Sequence, residues 1–100
     1  MKFGLKDIVV EQMNQVFSSF EELEEVIIYG SRAKGNYKPN SDIDLTFKGN
    51  KLNLFILNKI GLELDDLLLP YSFDLSIYDH INNSDLVDHI QRVGEKIYKK

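Results

Sequence analysis

The chain has 100 residues, 43% of them apolar and 28% charged, and a formal net charge of −4 at pH 7. This length allows one modest hydrophobic core, so we expect a single domain spanning residues 1–100. The acidic balance argues against a templated polymerase or a DNA-binding module, because a surface that holds nucleic acid depends on Lys and Arg to neutralise phosphates. Nucleic acid is therefore an unlikely partner.

The sequence also lacks features of export. It has no cysteine, which excludes disulfides and thiolate metal sites and suits a reducing compartment. Met1–Lys6 is followed by a polar amphipathic stretch, and no run approaches the ~18–20 apolar residues of a membrane span. We expect a soluble cytoplasmic protein.

The first half of the chain predicts a helix followed by two strands. Apolar residues recur every three or four positions over 5–20, the period of one buried helix face. The β-branched run before Gly30 predicts a buried strand over 24–30, and the segment after it is a loop with room for one helical turn at Ser31. From Ser41 to Phe47 polar and apolar residues alternate, which indicates a strand with one solvated face.

The second half predicts a helix, a strand and a last helix. A helical spacing of apolar residues over 51–69 stops before Pro70, and alternation returns over 71–78. Ser84 is a plausible N-cap for a final helix whose stripe runs through Ile97 and ends among Lys96, Lys99 and Lys100. The predicted order is helix, strand, strand, helix, strand, helix.

Gly30-Ser31 is a candidate anion site. A strand that ends in Gly-Ser at the start of a helical turn offers backbone N–H groups and a hydroxyl to a phosphate, and glycine lets the phosphate approach the main chain. Arg32 could also reach a triphosphate, although exposed basic loop residues are more often simply solvated. We take Gly30, Ser31 and Arg32 as candidate nucleotide ligands.

Three aspartates form the second half of the predicted site. Asp42 and Asp44 lie two residues apart on a strand, so their carboxylates share one face and offer hard oxygen ligands to Mg²⁺. Asp74 lies on the polar face of the following strand and joins them if the two strands pair. Such a cluster suits metal-assisted phosphoryl or nucleotidyl transfer, in which two metal ions neutralise the triphosphate.

The pattern Gly30-Ser31, ten intervening residues, Asp42-x-Asp44 and a later strand aspartate resembles the signature of the polymerase β nucleotidyltransferase superfamily. The small size resembles its minimal nucleotidyltransferases (MNT). The signature covers 30–45, Asp74 supplies the third acid, and the order of elements extends the resemblance over nearly the whole chain.

The resemblance implies an α+β fold with a small mixed sheet of three or more strands covered by helices on one face. It implies that Asp42 and Asp44 are metal ligands, that Asp74 is a third ligand or a base, and that Gly30 and Ser31 hold the β- and γ-phosphates. The implied cofactor is Mg²⁺ at a two-metal site, with Mn²⁺ possible, and the implied substrate is ATP. Members of this group commonly pair with a small helical HEPN-type protein, and some are antitoxins that adenylylate a tyrosine of that partner.

Two other functions stay open. The chain could be a non-catalytic module that neutralises a helical partner by binding, but three aligned carboxylates weigh against a purely structural role. It could also modify a small molecule, as the aminoglycoside nucleotidyltransferases do, if a second subunit shaped the acceptor pocket. The two histidines, His80 and His89, have no partner at ligand spacing and are predicted to be surface residues.

Overall fold

The computed structural model describes the whole chain, residues 1–100, as alternating helices and strands. The elements in chain order are α1 (Asp7–Ser18), β1 (Glu25–Tyr29), α2 (Ser31–Lys34), β2 (Ile43–Lys48), α3 (Leu54–Asp65), β3 (Phe73–Ile77), a 3₁₀ turn (Tyr78–His80), α4 (Ser84–Val93) and β4 (Glu95–Lys99). No helix is both long enough and apolar enough to cross a membrane.

The strands form one mixed sheet in the order β3-β2-β1-β4. Strand β1 is antiparallel to β2 and to β4, whereas β2 and β3 run parallel, joined by the crossover helix α3. The small mixed sheet and the α+β class predicted from the resemblance are therefore confirmed.

The main core lies between one face of the sheet and helices α1 and α3. Because side chains alternate along a strand, Val26 and Ile28 of β1 point into this core, while Ile27 and Tyr29 point to the opposite face. On that opposite face Ile27 and Tyr29 pack against Ile90 of α4. Helix α4 thus covers part of the polar face of the sheet, a contact that the alternation did not indicate.

The end of the chain differs from the prediction of one long final helix. Helix α4 ends at Val93, and Glu95–Lys99 forms a fourth strand that pairs with β1. The spacing of Ile90, Val93 and Ile97 fits a helix only by coincidence, because Ile97 is buried through strand pairing and not on a helical stripe. The N-cap is Asn83 rather than Ser84, and its side chain accepts hydrogen bonds from the amides of the first turn.

The two predicted long helices are shorter than expected. Helix α1 begins at Asp7, because Lys6 before it is extended, and it ends at Ser18. Helix α3 begins after Asn53, whose side chain accepts a hydrogen bond from the amide of Ile56 at 2.9 Å. In both helices the apolar periodicity extends into flanking turns that also contribute buried residues, so periodicity overestimates the length.

Candidate active site

The three predicted aspartates meet at one end of the β2–β3 pair. Asp44 and Asp74 are direct partners in the parallel register, and Asp42 lies two residues before Asp44, just ahead of the first residue of β2. The side chains of Asp42 and Asp74 are exposed, whereas Asp44 is half-buried between them and β1. The predicted convergence of the three carboxylates on one face is what the sheet register produces.

Asp44 is the electrostatic centre of this cluster. Burial raises the pKa of its carboxyl above the ordinary 3.8, and the negative charges of Asp74 and then Asp42 raise it further. A positive charge on His89 would act in the opposite direction. This effect is the smallest of the four, so burial and the two negative charges dominate and the pKa of Asp44 is raised.

Tyr29 lies beside this cluster, paired in register with Asp44 at the end of β1. Burial raises the pKa of its phenol; the Ser76 side chain lowers it in part, and the charges of Asp74 and Asp44 raise it again. The phenol is therefore neutral, and it lies beside the carboxylates of Asp44 and Asp74. Tyr29 was predicted only as a strand residue, since an aromatic before a glycine carries no sign of a nearby site.

The cluster has oxygen donors suited to a hard cation, but its side chains are not arranged as a preformed metal site. Carboxylate oxygens are the ligands that Mg²⁺ prefers, and burial together with the charges of Asp74 and Asp42 disfavours the ionised form of Asp44. No group of three or more His, Asp or Glu side chains is arranged here at the spacing of a preformed metal centre. Asp42, Asp44 and Asp74 are the residues whose carboxylates could hold a divalent cation.

Gly30 and Ser31 form a tight turn next to Asp44. Gly30 has φ 75° and ψ −153°, a conformation that side chains do not tolerate, and a Cβ atom there would overlap Oδ2 of Asp44. Ser31 is half-buried at the first position of α2, and its hydroxyl makes no hydrogen bond within the chain. Glycine thus brings the main chain against the acidic cluster and leaves the serine hydroxyl available.

Arg32 is placed differently from the other candidate nucleotide ligands. Its side chain is 2% exposed, and the guanidinium donates to the main-chain oxygens of Phe3 (2.9 Å), Ser41 (2.9 and 3.2 Å) and Pro39 (3.4 Å). The rings of Tyr37 and Tyr71 lie within cation–π distance, at 5.4 and 4.9 Å. The guanidinium therefore ties the N-terminal turn to the loop before β2, and these contacts occupy the groups that would bind a phosphate.

His89 is a site residue that the sequence interpretation missed. It was predicted to lie on the surface, but Nε2 accepts a hydrogen bond of 3.1 Å from the amide of Gly30, and the ring meets the edge of Tyr29. The only signal in the sequence was its position one residue before Ile90 on the apolar side of α4. His80, by contrast, is exposed as predicted.

A mixed sheet that places a Gly-Ser turn beside paired strand carboxylates defines the class of enzymes that transfer nucleotidyl groups. The sequence profile described as "Polymerase beta, Nucleotidyltransferase" matches residues 11–100 of this chain. The chain therefore belongs to the polymerase β nucleotidyltransferase family, as the resemblance implied, and is a nucleotidyltransferase. No curated protein is similar enough in sequence to be matched to it.

Solved structures of similar fold include MNT antitoxins. A toxin–antitoxin crystal structure with AMP-PNP is 18% identical with a TM-score of 0.71, and the match covers 96% of this chain and 75% of that one. A Shewanella oneidensis structure of a tri-AMPylated HEPN toxin with its MNT antitoxin is 13% identical (TM-score 0.70; 96% and 74% covered). A putative nucleotidyltransferase from Sulfolobus solfataricus is 27% identical (TM-score 0.57; 93% and 78% covered).

Proposed function

We propose that this chain is a metal-dependent adenylyltransferase that transfers AMP from ATP to a tyrosine hydroxyl of a HEPN-type partner protein. The observation that carries the proposal is the register pairing of Asp44 with Asp74, with Asp42 on the same face and the Gly30-Ser31 turn alongside. Binding of a metal-bound nucleoside triphosphate accounts for both the carboxylates and the Gly-Ser turn beside them.

In this proposal the aspartates hold Mg²⁺. When bound, Mg²⁺ neutralises the triphosphate and favours ionisation of the attacking hydroxyl. Burial and then the charges of Asp74 and Asp42 raise the pKa of Asp44, which supports this assignment because a divalent cation would stabilise the ionised carboxylates. Asp42 and Asp44 are assigned as ligands, with Mn²⁺ as an alternative ion.

The remaining residues bind the triphosphate and accept the proton that leaves the attacking hydroxyl. The main-chain amide and the hydroxyl of Ser31 hold the β- and γ-phosphates, and Gly30, which has no side chain, lets them approach the main chain, so that the α-phosphate lies over the aspartates. The acceptor oxygen forms a bond to the α-phosphorus, the bond from that phosphorus to the bridging oxygen breaks, and pyrophosphate leaves. Asp74, exposed at the edge strand, takes the hydroxyl proton or completes the ligand set.

The choice of ATP and of a protein acceptor is supported by the related folds. One of them is a toxin–antitoxin structure with AMP-PNP, and another contains a tri-AMPylated HEPN toxin. The acidic surface, with a net charge of −4, also favours a protein over a nucleic acid as acceptor. The active form is then a hetero-oligomer with the helical partner.

The test is transfer of label from α-labelled ATP to a co-expressed HEPN-type partner, with Mg²⁺ or with EDTA. Wild type and an Asp65→Asn control, an exposed acid at the end of α3, should label the partner. Asp42→Asn and EDTA should abolish labelling. An unlabelled partner that is still neutralised by the Asp42→Asn chain would instead establish inhibition by binding alone.

A further inference from the structure

The amide of Gly30 is hydrogen bonded across the sheet face to a helix that lies 59 residues away in sequence. The acceptor is Nε2 of His89, at 3.1 Å. No other side-chain hydrogen bond connects α4 with the Gly30-Ser31 turn.

This contact is not required for packing α4 on the sheet. The helix is anchored by Ile90, which is 3% exposed and packs against Ile27 and Tyr29. His89 is only half-buried and meets Tyr29 edge-on, with 6.2 Å between the ring centroids. An apolar residue at this position would leave the partly buried Gly30 amide without an acceptor.

The position of Gly30 determines the geometry of the predicted triphosphate site. Its α-carbon lies so close to Asp44 that a Cβ atom would overlap Oδ2. Glycine in this backbone region has no side chain to fix its conformation, so the turn needs an external constraint. A rotation of the peptide between Tyr29 and Gly30 would move Ser31 relative to Asp44.

We propose that His89 is a positioning residue for nucleotide binding. By accepting from the Gly30 amide, it holds the turn against Asp44 and keeps Ser31 in place for the phosphates before ATP arrives. Through this bond the orientation of α4 is coupled to the nucleotide site. The inference rests on the proposed function, and it adds a residue outside the Gly-Ser and Asp-x-Asp motifs.

The hydrogen bond itself can be observed through a unique dipeptide. Tyr29-Gly30 is the one Tyr-Gly pair in the sequence, so ¹³C-carbonyl tyrosine combined with ¹⁵N glycine selects the Gly30 amide signal in NMR spectra. His89→Gln keeps an acceptor oxygen near the position of Nε2, whereas His89→Leu and His89→Ala remove it. We expect amide exchange at Gly30 to accelerate in the Leu and Ala variants and to stay slow in the Gln variant.

The functional readout is the Kd for AMP-PNP with Mg²⁺, measured on the same full-length variants. Loss of the bond should raise this Kd about fivefold to tenfold in His89→Leu and His89→Ala, and His89→Gln should restore it to within about twofold of wild type. In the labelling assay the same variants should raise KM for ATP more than they lower kcat, because the turn is reordered once ATP is bound. His80→Leu, an exposed histidine outside the site, is the matched control.

Rescue by Gln but not by Leu or Ala, in both readouts, supports the positioning role. Equal Kd values for all four proteins, or a Gln variant as weak as the Leu variant, would overturn it. If wild type itself binds no AMP-PNP, the proposed function fails as well, which separates that failure from a failure of His89 alone. Thermal unfolding of each variant identifies any that is misfolded, and the Gln and Ala variants then decide the question.

Discussion

Asp44 of β2 and Asp74 of β3 lie directly opposite each other in a parallel pair of strands. Like charges on opposed strand positions destabilise a sheet, and the pKa of the Asp44 carboxyl is raised first by burial and then by the charge of Asp74. Under the proposed function, a cation bound with a triphosphate would offset this repulsion.

Removing one charge at Asp42 or Asp44 should abolish catalysis while leaving the fold intact. Asp42→Asn and Asp44→Asn keep the shape of the side chain but weaken the hold on a divalent cation and on the triphosphate. We expect adenylyl transfer to fall at least about 100-fold, the equivalent of about 2.7 kcal/mol in the barrier. Label transfer from ATP measures this, and circular dichroism checks the fold. Transfer within threefold of wild type would contradict the assignment.

The stability of the protein should depend on pH through Asp44. Its folded pKa lies above the ordinary 3.8, so between these two values the folded chain binds more protons than the unfolded chain. The free energy of unfolding therefore falls as pH rises through this window. Asp44→Asn removes this contribution, so its stability relative to wild type should increase as pH rises above the ordinary 3.8 and level off once pH exceeds the folded pKa. Urea unfolding at a series of pH values measures the difference, and a constant difference would argue against a perturbed Asp44.

Divalent cations should stabilise wild type but not the Asp44→Asn variant. A ligand that binds only the folded state raises the free energy of unfolding, by about 2.7 kcal/mol at a hundred times its Kd. At neutral pH, millimolar Mg²⁺ or Mn²⁺ should raise the Tm of wild type, and EDTA should reverse the effect. The buffer contains no Ca²⁺, and a matched concentration of NaCl controls for ionic strength. Equal stabilisation of both proteins would locate the bound ion elsewhere.

Substitution of Gly30 should be more damaging than substitution of another glycine with a similar φ angle. Gly35 has φ 90° and open space around its α-carbon, whereas at Gly30 a Cβ atom would overlap Asp44. Gly35→Ala should cost about 1–2 kcal/mol, the conformational penalty alone. Gly30→Ala should cost clearly more. In chemical denaturation, Asp44→Ala should recover part of that excess in the Gly30→Ala background, because it removes the overlapping atoms.

Arg32 should prove structural. Its guanidinium spans the main-chain oxygens of Phe3, Pro39 and Ser41, which one lysine ammonium cannot reach together. Arg32→Lys should therefore destabilise the protein by at least about 3 kcal/mol, since hydrogen bonds to a charged group contribute about 1.5–3 kcal/mol each. Lys34→Met, on the exposed neighbour, should change stability by less than about 0.5 kcal/mol. A stable Arg32→Lys variant with weakened ATP binding would instead support a role as a nucleotide ligand.

Local sequence determined the parts of this protein that depend on local geometry. The alternation around Asp42 and Asp44 follows from the period of two in a strand, so their shared face needed no tertiary information. Gly30-Ser31 after a β-branched run likewise indicated a turn after a strand. The spacing between these two motifs was specific enough to indicate the family, and the family profile over residues 11–100 confirmed it.

Tertiary structure decided what depends on partners distant in sequence. Residues 95–99 form a strand because the free edge of β1 offers them main-chain hydrogen bonds, although apolar spacing through Ile97 suited a helix. Arg32 is buried and His89 reaches Gly30 because the chain folds distant carbonyls and a distant amide against them. Hydrophobic period and turn chemistry are encoded within a few residues, whereas the hydrogen-bonding partner of a side chain is fixed only by the packing of the whole chain.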